Sequence, residues 1–467
     1  MTKKSLSIFM LAMMNVAAIG SLKNWPIVAE YGLASLLLFL LATLIFFIPS
    51  ALVSAELATG WPKMGGVYVW VKEAFGHRTG FLSIWLLWVQ NVVWYPTSLA
   101  FIAGVAAYII NPELATNKFY TLGIIISVFW AVTLLNFCGM RVSGWISSFG
   151  VIVGNFLPGI IIIGLGALWY FQGKPLEISF DQAHVLPSFS NLEQLVFFSG
   201  IILSLCAIEM TAVHAKDVEK PQKGYPKAIL VSSLIIIGSS VLGVLAISAV
   251  VPQKEISLMA GSMQAIYALF ENYHLKSLIP VMAFLIIIGA LASLSTWVVG
   301  PSKGLLAAAK GGDLPPLFRK INKKGMPVSL LTMQAVIMSL LSLMFILMPT
   351  VNAAFWILTA LVAEAYLLMY LLMFAAAIKL RYTKAHILRP YRIPGGKIGI
   401  WLVAGSGILS SLFAIILSFF PPEQIATGNS TFYITFLISG LCLICLAPSL
   451  ILSFKKASWD KKLPHEE

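Results

Sequence analysis

Glu209 lies in Ser204-Leu-Cys206-Ala207-Ile208-Glu209-Met-Thr, inside an apolar run that begins near Leu195. Hydrocarbon penalises a lone carboxylate, so this side chain must face protein or a wet cavity, where it can read a polar group or take up a proton. A structural acid that bonds a neighbour and locks the local backbone is the alternative. A second acid stands with two phenols in Ala363-Glu364-Ala-Tyr366-Leu-Leu-Met-Tyr370. Tyr366 and Tyr370, four residues apart, share a helix face, and Glu364 lies partly on another. Tyr366 reads as cavity lining; Glu364 fits either a proton-handling cavity group or an aromatic packing stripe. Lys23 closes Ala18-Ile19-Gly20-Ser21-Leu-Lys23, as a cation snorkelling to an interface or as a cation within a cavity. Ser293, in Gly289-Ala-Leu-Ala-Ser293-Leu-Ser-Thr296-Trp297, suits close helix packing as well as a polar wall. Trp94, Tyr95 and Trp297 are candidate gates or pocket walls. Glu56 is a structural acid that can pair with an interfacial base.

Enzyme chemistry finds no purchase. There is no phosphate-binding loop, metal-ligand spacing or nucleophile elbow, and His77, His184, His214, His274, His386 and His465 are scattered through loops and ends. Cys206, Cys442 and Cys445 lie within apolar runs and Cys138 ends another, as small buried hydrophobes rather than a disulfide or metal framework. Neither cofactor nor metal is expected.

The elements that must hold these groups are membrane spans. Of the 467 residues 59% are hydrophobic and 10% charged, and the mean hydropathy is +0.91. Runs of about 20 apolar residues use up such a composition; a soluble core does not. Twelve such segments are predicted, at roughly 7–28, 33–57, 80–109, 118–137, 145–172, 194–215, 228–251, 278–308, 327–349, 353–380, 398–420 and 430–454. The long ones at 80–109 and 278–308 have room for a re-entrant piece. The start Met-Thr-Lys-Lys leads directly into the first span, not into a cleaved signal. Glu255–Asn272 has the spacing of a helix lying on the outer surface, and the tail beyond Phe454 is too short to fold alone.

Charge placement orients the chain. Most of the 31 Lys and Arg fall in alternate loops on the side of the N-terminus, including Lys63, Arg141, Lys216, Lys220, Arg319 and Arg392. The opposite loops hold only Lys118, Lys174, Lys254 and Lys276, with Lys23 near the membrane. By the positive-inside rule both termini are cytoplasmic. The net charge of +13 follows from topology and requires no nucleic acid.

Spans 1 and 6 both place Gly, Ser, Cys or Pro at mid-depth, and five spans separate them. Matching irregular helices in corresponding positions point to an inverted repeat, with half-helix ends binding a zwitterionic or anionic solute near the midplane. The chain is then one all-α polytopic membrane domain over 1–467, with repeats at 7–172 and 194–380 and two further helices in 398–454.

Four stretches carry a resemblance: Ala55-Glu-Leu-Ala-Thr-Gly-Trp-Pro-Lys-Met-Gly-Gly-Val-Tyr-Val-Trp70, Ala207-Ile-Glu209 with the loop His214 to Pro226, Trp297-Val-Val-Gly-Pro-Ser-Lys-Gly304, and Tyr391-Arg-Ile-Pro-Gly-Gly-Lys397. In order and spacing the chain resembles the amino acid–polyamine–organocation (APC) permeases, and within them the bacterial glutamate/γ-aminobutyrate antiporter branch. The resemblance implies a twelve-helix fold, ten helices of it in a five-plus-five inverted repeat with helices 1 and 6 broken. It implies a multi-pass protein of the bacterial inner membrane, monomer or homodimer, that exchanges amino acids or their decarboxylation products by alternating access. Glu209 matches the family's acid in span 6, and Tyr366 and Tyr370 its tyrosines in span 10. Lys23 stands where the branch has a span 1 tyrosine, Ser293 where it has a span 8 acid, and Ala207 where it has glycine. These departures make the cavity more cationic and speak against glutamate-for-γ-aminobutyrate exchange, while leaving room for an acidic or neutral substrate. The α-carboxylate is expected on backbone N–H groups around Ala18, Ile19, Gly20 and Ser21, and the α-amino group on carbonyls of Cys206, Ala207 and Ile208. Related antiporters carry a longer tail that plugs the cavity; this chain stops at Glu467, and no plug is expected. A proton-coupled symporter shares the architecture. A membrane sensor would need a soluble signalling domain, and a channel a repeated filter ring.

Overall fold

A computed structural model describes residues 7–61, 65–138, 150, 152–178, 195–212, 221–423, 425–456 and 459. Lys63, Arg141, His184, His214, Lys216, Lys220 and His465 lie outside the described residues, as does most of the His214–Pro226 loop.

Apolar runs become helices because only a helix bonds its own backbone inside hydrocarbon. In chain order these are α1 (Ile8–Ile19), α2 (Trp25–Ala29), α3 (Ala34–Gly60), α4 (Val67–Phe75), α5 (His77–Ile110), α6 (Lys118–Phe137), α7 (Ile152–Phe171), α8 (Phe197–Ser204) and α9 (Ile208–Ala212). There follow α10 (Pro221–Val250), α11 (Gly261–Asn272), α12 (Ile279–Lys310), α13 (Val328–Leu347), α14 (Val351–Thr383), α15 (Gly396–Ser418) and α16 (Ser430–Ser453). Polar side chains cap the starts: Asn117 accepts from the Phe119 and Tyr120 N–H groups at 3.0 Å, and Thr350 from Ala353 at 3.0 Å. Among the described residues there is no strand, and 10 helices are long and apolar enough to cross a membrane. The intervals read as spans 1 and 6 are not among these, because each is divided into shorter pieces.

α5 and α14 are the most enclosed helices; they pack on each other, α5 also on α12 and α14 also on α15. α6, α7 and α16 are peripheral and turn apolar side chains such as Phe119, Ile160 and Leu443 outward, as lipid-facing surfaces do. Close crossings use small residues. A Cβ on Gly289 of α12 would come 2.7 Å from the Gly154 Cα of α7, so these backbones touch directly. Where α3, α14 and the connection to α15 meet, Glu56 is buried between two guanidiniums. Arg381 pairs with Oε2, which also accepts the Ile393 N–H at 2.8 Å, and Arg389 lies 3.4 Å from Oε1.

Three expectations need correction. α5 and α12 run unbroken through the lengths where a re-entrant piece had room. The helix expected over Glu255–Asn272 begins at Gly261. Side chains of α11 and α14 hold the backbone ahead of it in a loop, Gln264 accepting the Ser257 N–H at 2.7 Å and Asn352 the Leu258 N–H at 3.2 Å. Of the cysteines, all free, Cys206 is buried but Cys442 of α16 and Cys138, just past the end of α6, are exposed.

Candidate functional site

A cavity of about 130 Å³ opens between α1–α2, α5, α7, α8–α9, α12 and α14. Two helix interruptions form facing parts of its wall. α1 stops at Gly20, where a Cβ would sit 2.7 Å from the Val16 carbonyl oxygen. Ser21 is extended (φ −145°), and a single turn over Leu22–Asn24 leads to α2, which has Pro26 in its first turn. Asn155 of α7 braces this break from the side: its Nδ2 donates to the Gly20 carbonyl at 2.5 Å and its Oδ1 accepts the Leu22 N–H at 2.9 Å. Asn155 sits in a π-helical turn over Ile152–Phe156, a distortion frequent at functional sites.

The second interruption lies between α8 and α9. Ala207 adopts φ +89°, a region that disfavours any residue with a Cβ. Its N–H donates to the Tyr370 hydroxyl at 2.9 Å, and that hydroxyl donates to Glu209 Oε2. The Tyr366 hydroxyl donates to the other oxygen, Oε1, at 2.5 Å. The four-residue spacing brings the two rings to 5.3 Å, so both phenols reach one carboxylate. The result is a polarised chain from strained backbone through phenol to acid, each member satisfied by the next.

Lys23 is 6% exposed and lines the cavity. Its Nζ donates to Thr97 Oγ1 at 2.8 Å and lies 4.9 Å from the Trp94 ring and 5.6 Å from the Phe355 ring. It is therefore the cavity cation of the two possibilities, held by a hydroxyl and a cation–π contact. Trp94 and Trp297 form an aromatic wall with ring centres 6.1 Å apart.

Of the residues singled out in the sequence, Ile19, Gly20, Ser21, Lys23, Cys206, Ala207, Ser293, Tyr366, Trp94 and Trp297 line the cavity. The rest stand behind it or elsewhere. Glu209 and Tyr370 form the network behind the Tyr366 ring, with Ile208 beside them, and Tyr95, fully buried, donates from its hydroxyl to the Trp297 carbonyl at 3.0 Å; Ala18 belongs to α1, and its side chain lies outside what the structure describes. Glu364 does not join them. It accepts from Ser418 Oγ of α15 at 2.8 Å, on the side of α14 away from the cavity. Ser204 also lines the cavity, and polar lining residues not anticipated are Asn24, Gln90, Asn91, Thr97, Asn155 and Thr359. The readable signals were amides standing in apolar runs, Asn155 alone and Gln90 and Asn91 together.

Sequence comparison puts known proteins beside this geometry. The family model described as amino acid permease matches residues 4–441. An uncharacterized transporter of Legionella pneumophila is 47% identical over 466 residues, covering 100% of this chain and 99% of that one. A glutamate/γ-aminobutyrate antiporter of Lactococcus lactis is 33% identical over 457 residues, covering 97% and 91%. A probable agmatine/putrescine antiporter of the same species is 24% identical over 371 residues, covering 79% and 78%.

Proposed function

Because the chain belongs to the amino acid permease family, we propose that this multi-pass transporter exchanges an amino acid for a related amino acid or its decarboxylation product by alternating access. The observation that carries the reading is that two interrupted helices, at Gly20–Asn24 and Leu205–Ala207, line one cavity with an acid–phenol network behind it. Half-helix ends turned toward a cavity are how such folds hold a solute with two charged ends. Taking α1–α2 and α8–α9 as the first and sixth of twelve spans gives inverted repeats over 7–172 and 194–380, followed by 398–454. The basic loops support two cytoplasmic termini, and the bacterial relatives support an inner-membrane location. The unit is a monomer or a homodimer.

In this reading Glu209 reads or follows the solute through Tyr366, whose ring lines the cavity while its hydroxyl holds the acid. Antiport is favoured over proton symport by the relatives named as antiporters. Proteoliposomes test both points. Preloading with the correct counter-solute accelerates uptake by an exchanger and leaves a symporter unaffected. Glu209→Gln is expected to abolish exchange or its pH dependence; unchanged uptake at every pH would overturn the role assigned to it.

A further inference from the structure

We propose that Lys23 is a charge filter: its ammonium takes a carboxylate of the solute, so both exchanged solutes must carry a carboxylate, and an amine without one is barred. The inference rests on the exchange reading above and narrows its substrate class.

It also moves the expected anion contact. The backbone at the α1–α2 break offers less to a carboxylate than its sequence suggests. The Gly20 N–H already donates to the Val16 carbonyl at 2.8 Å and the Leu22 N–H to Asn155 at 2.9 Å. Lys23 presents the opposite situation. An ammonium has three donors and Thr97 uses one, which leaves two for a ligand. Its other neighbours, the Trp94 and Phe355 rings, carry no formal charge. Among the described residues no carboxylate pairs with Nζ, and of the described residues that line the cavity only Lys23 belongs to the ordinarily charged types Asp, Glu, Lys and Arg. Glu209 forms no ion pair with it: both its oxygens take phenol hydroxyls and it stands off the cavity wall.

A buried cation without an anion is costly, and a solute carboxylate supplies the missing charge through short charge-assisted hydrogen bonds. The same cation repels an ammonium or guanidinium brought into this small volume, where the charges are screened less than in bulk water. Attraction of one class and rejection of the other make a filter rather than a mere contact.

The test uses the full chain in proteoliposomes, as wild type, Lys23→Met and Lys23→Arg, with glutamate, glutamine, γ-aminobutyrate and putrescine as probes. Half-saturating concentrations in exchange and probe-dependent thermal stabilisation are read together. Wild type is expected to take at least one carboxylate probe and to refuse putrescine. Lys23→Met should raise the half-saturating concentration of that probe ~10–100-fold, the loss typical of one hydrogen bond to a charged group, and Lys23→Arg should recover much of it. The proposal is overturned if Lys23→Met leaves every carboxylate probe within about twofold of wild type, or if wild type accepts putrescine as readily as γ-aminobutyrate. Those two probes differ only by an aminomethyl group in place of the carboxylate, so wild type alone decides the matter if the methionine variant fails to fold. Should no probe be exchanged, the exchange reading fails, and thermal stabilisation still discriminates: no preference for carboxylate probes over putrescine overturns the filter.

Discussion

Ala207 concentrates the residue-scale argument. Its φ of +89° costs about 1 kcal/mol for a residue with a Cβ, and its N–H anchors the Tyr370 hydroxyl that holds Glu209. Ala207→Gly should therefore raise the melting temperature of the purified protein while retaining exchange. The gain stays below about 1 kcal/mol because glycine loses more chain entropy on folding. A fall in melting temperature would mean that the alanine methyl packs usefully enough to outweigh the strain. At this scale the sequence was legible where a polar group stood alone in an apolar run or recurred at helical spacing. Glu209, Tyr366 and Tyr370 were singled out that way, and the structure joins them in one hydrogen-bonded network. For Glu364 two readings stood open, and helix geometry selects between them: two residues from Tyr366 is about 200° around a helix, which turns it to Ser418 of α15. Asn155 went unread because its partners, Gly20 and Leu22, lie 135 and 133 residues away in the chain.

Elements were read more surely than their limits. Apolar length identified the long helices, and glycine and proline marked the break after α1. The loop ahead of α11 escaped because side chains of Gln264 and Asn352, not local propensity, hold it open. The buried ion cluster at Glu56 likewise joins pieces that sequence leaves far apart: the end of α3, the end of α14 and the chain leading to α15. Glu56 is 2% exposed and Arg381 1%, so removing the acid strands two buried guanidiniums. Glu56→Gln should destabilise the protein by roughly 3–5 kcal/mol, measured by thermal melting in detergent. An unchanged melting curve would show that solvent or lipid headgroups replace the carboxylate, and that the cluster does not bind these elements together.

For the whole molecule, composition and loop charge were sufficient to indicate a membrane bundle, but not which helices surround the cavity. That arrangement depends on contacts between distant small residues, and small residues are common in every span. The crossing of Gly154 on Gly289 borders the cavity and puts backbone directly on backbone, with Leu285 and Gly150 carbonyls alongside. A seam without side chains has no rotamers to disengage when helices shift, so it acts as a low-friction bearing between α7 and α12. One methyl group turns the bearing into a catch. Gly289→Ala is accordingly expected to slow exchange severalfold at saturating solute while leaving the half-saturating concentration of the solute nearly unchanged. Equal loss in both would locate the damage in the cavity instead of in its motion.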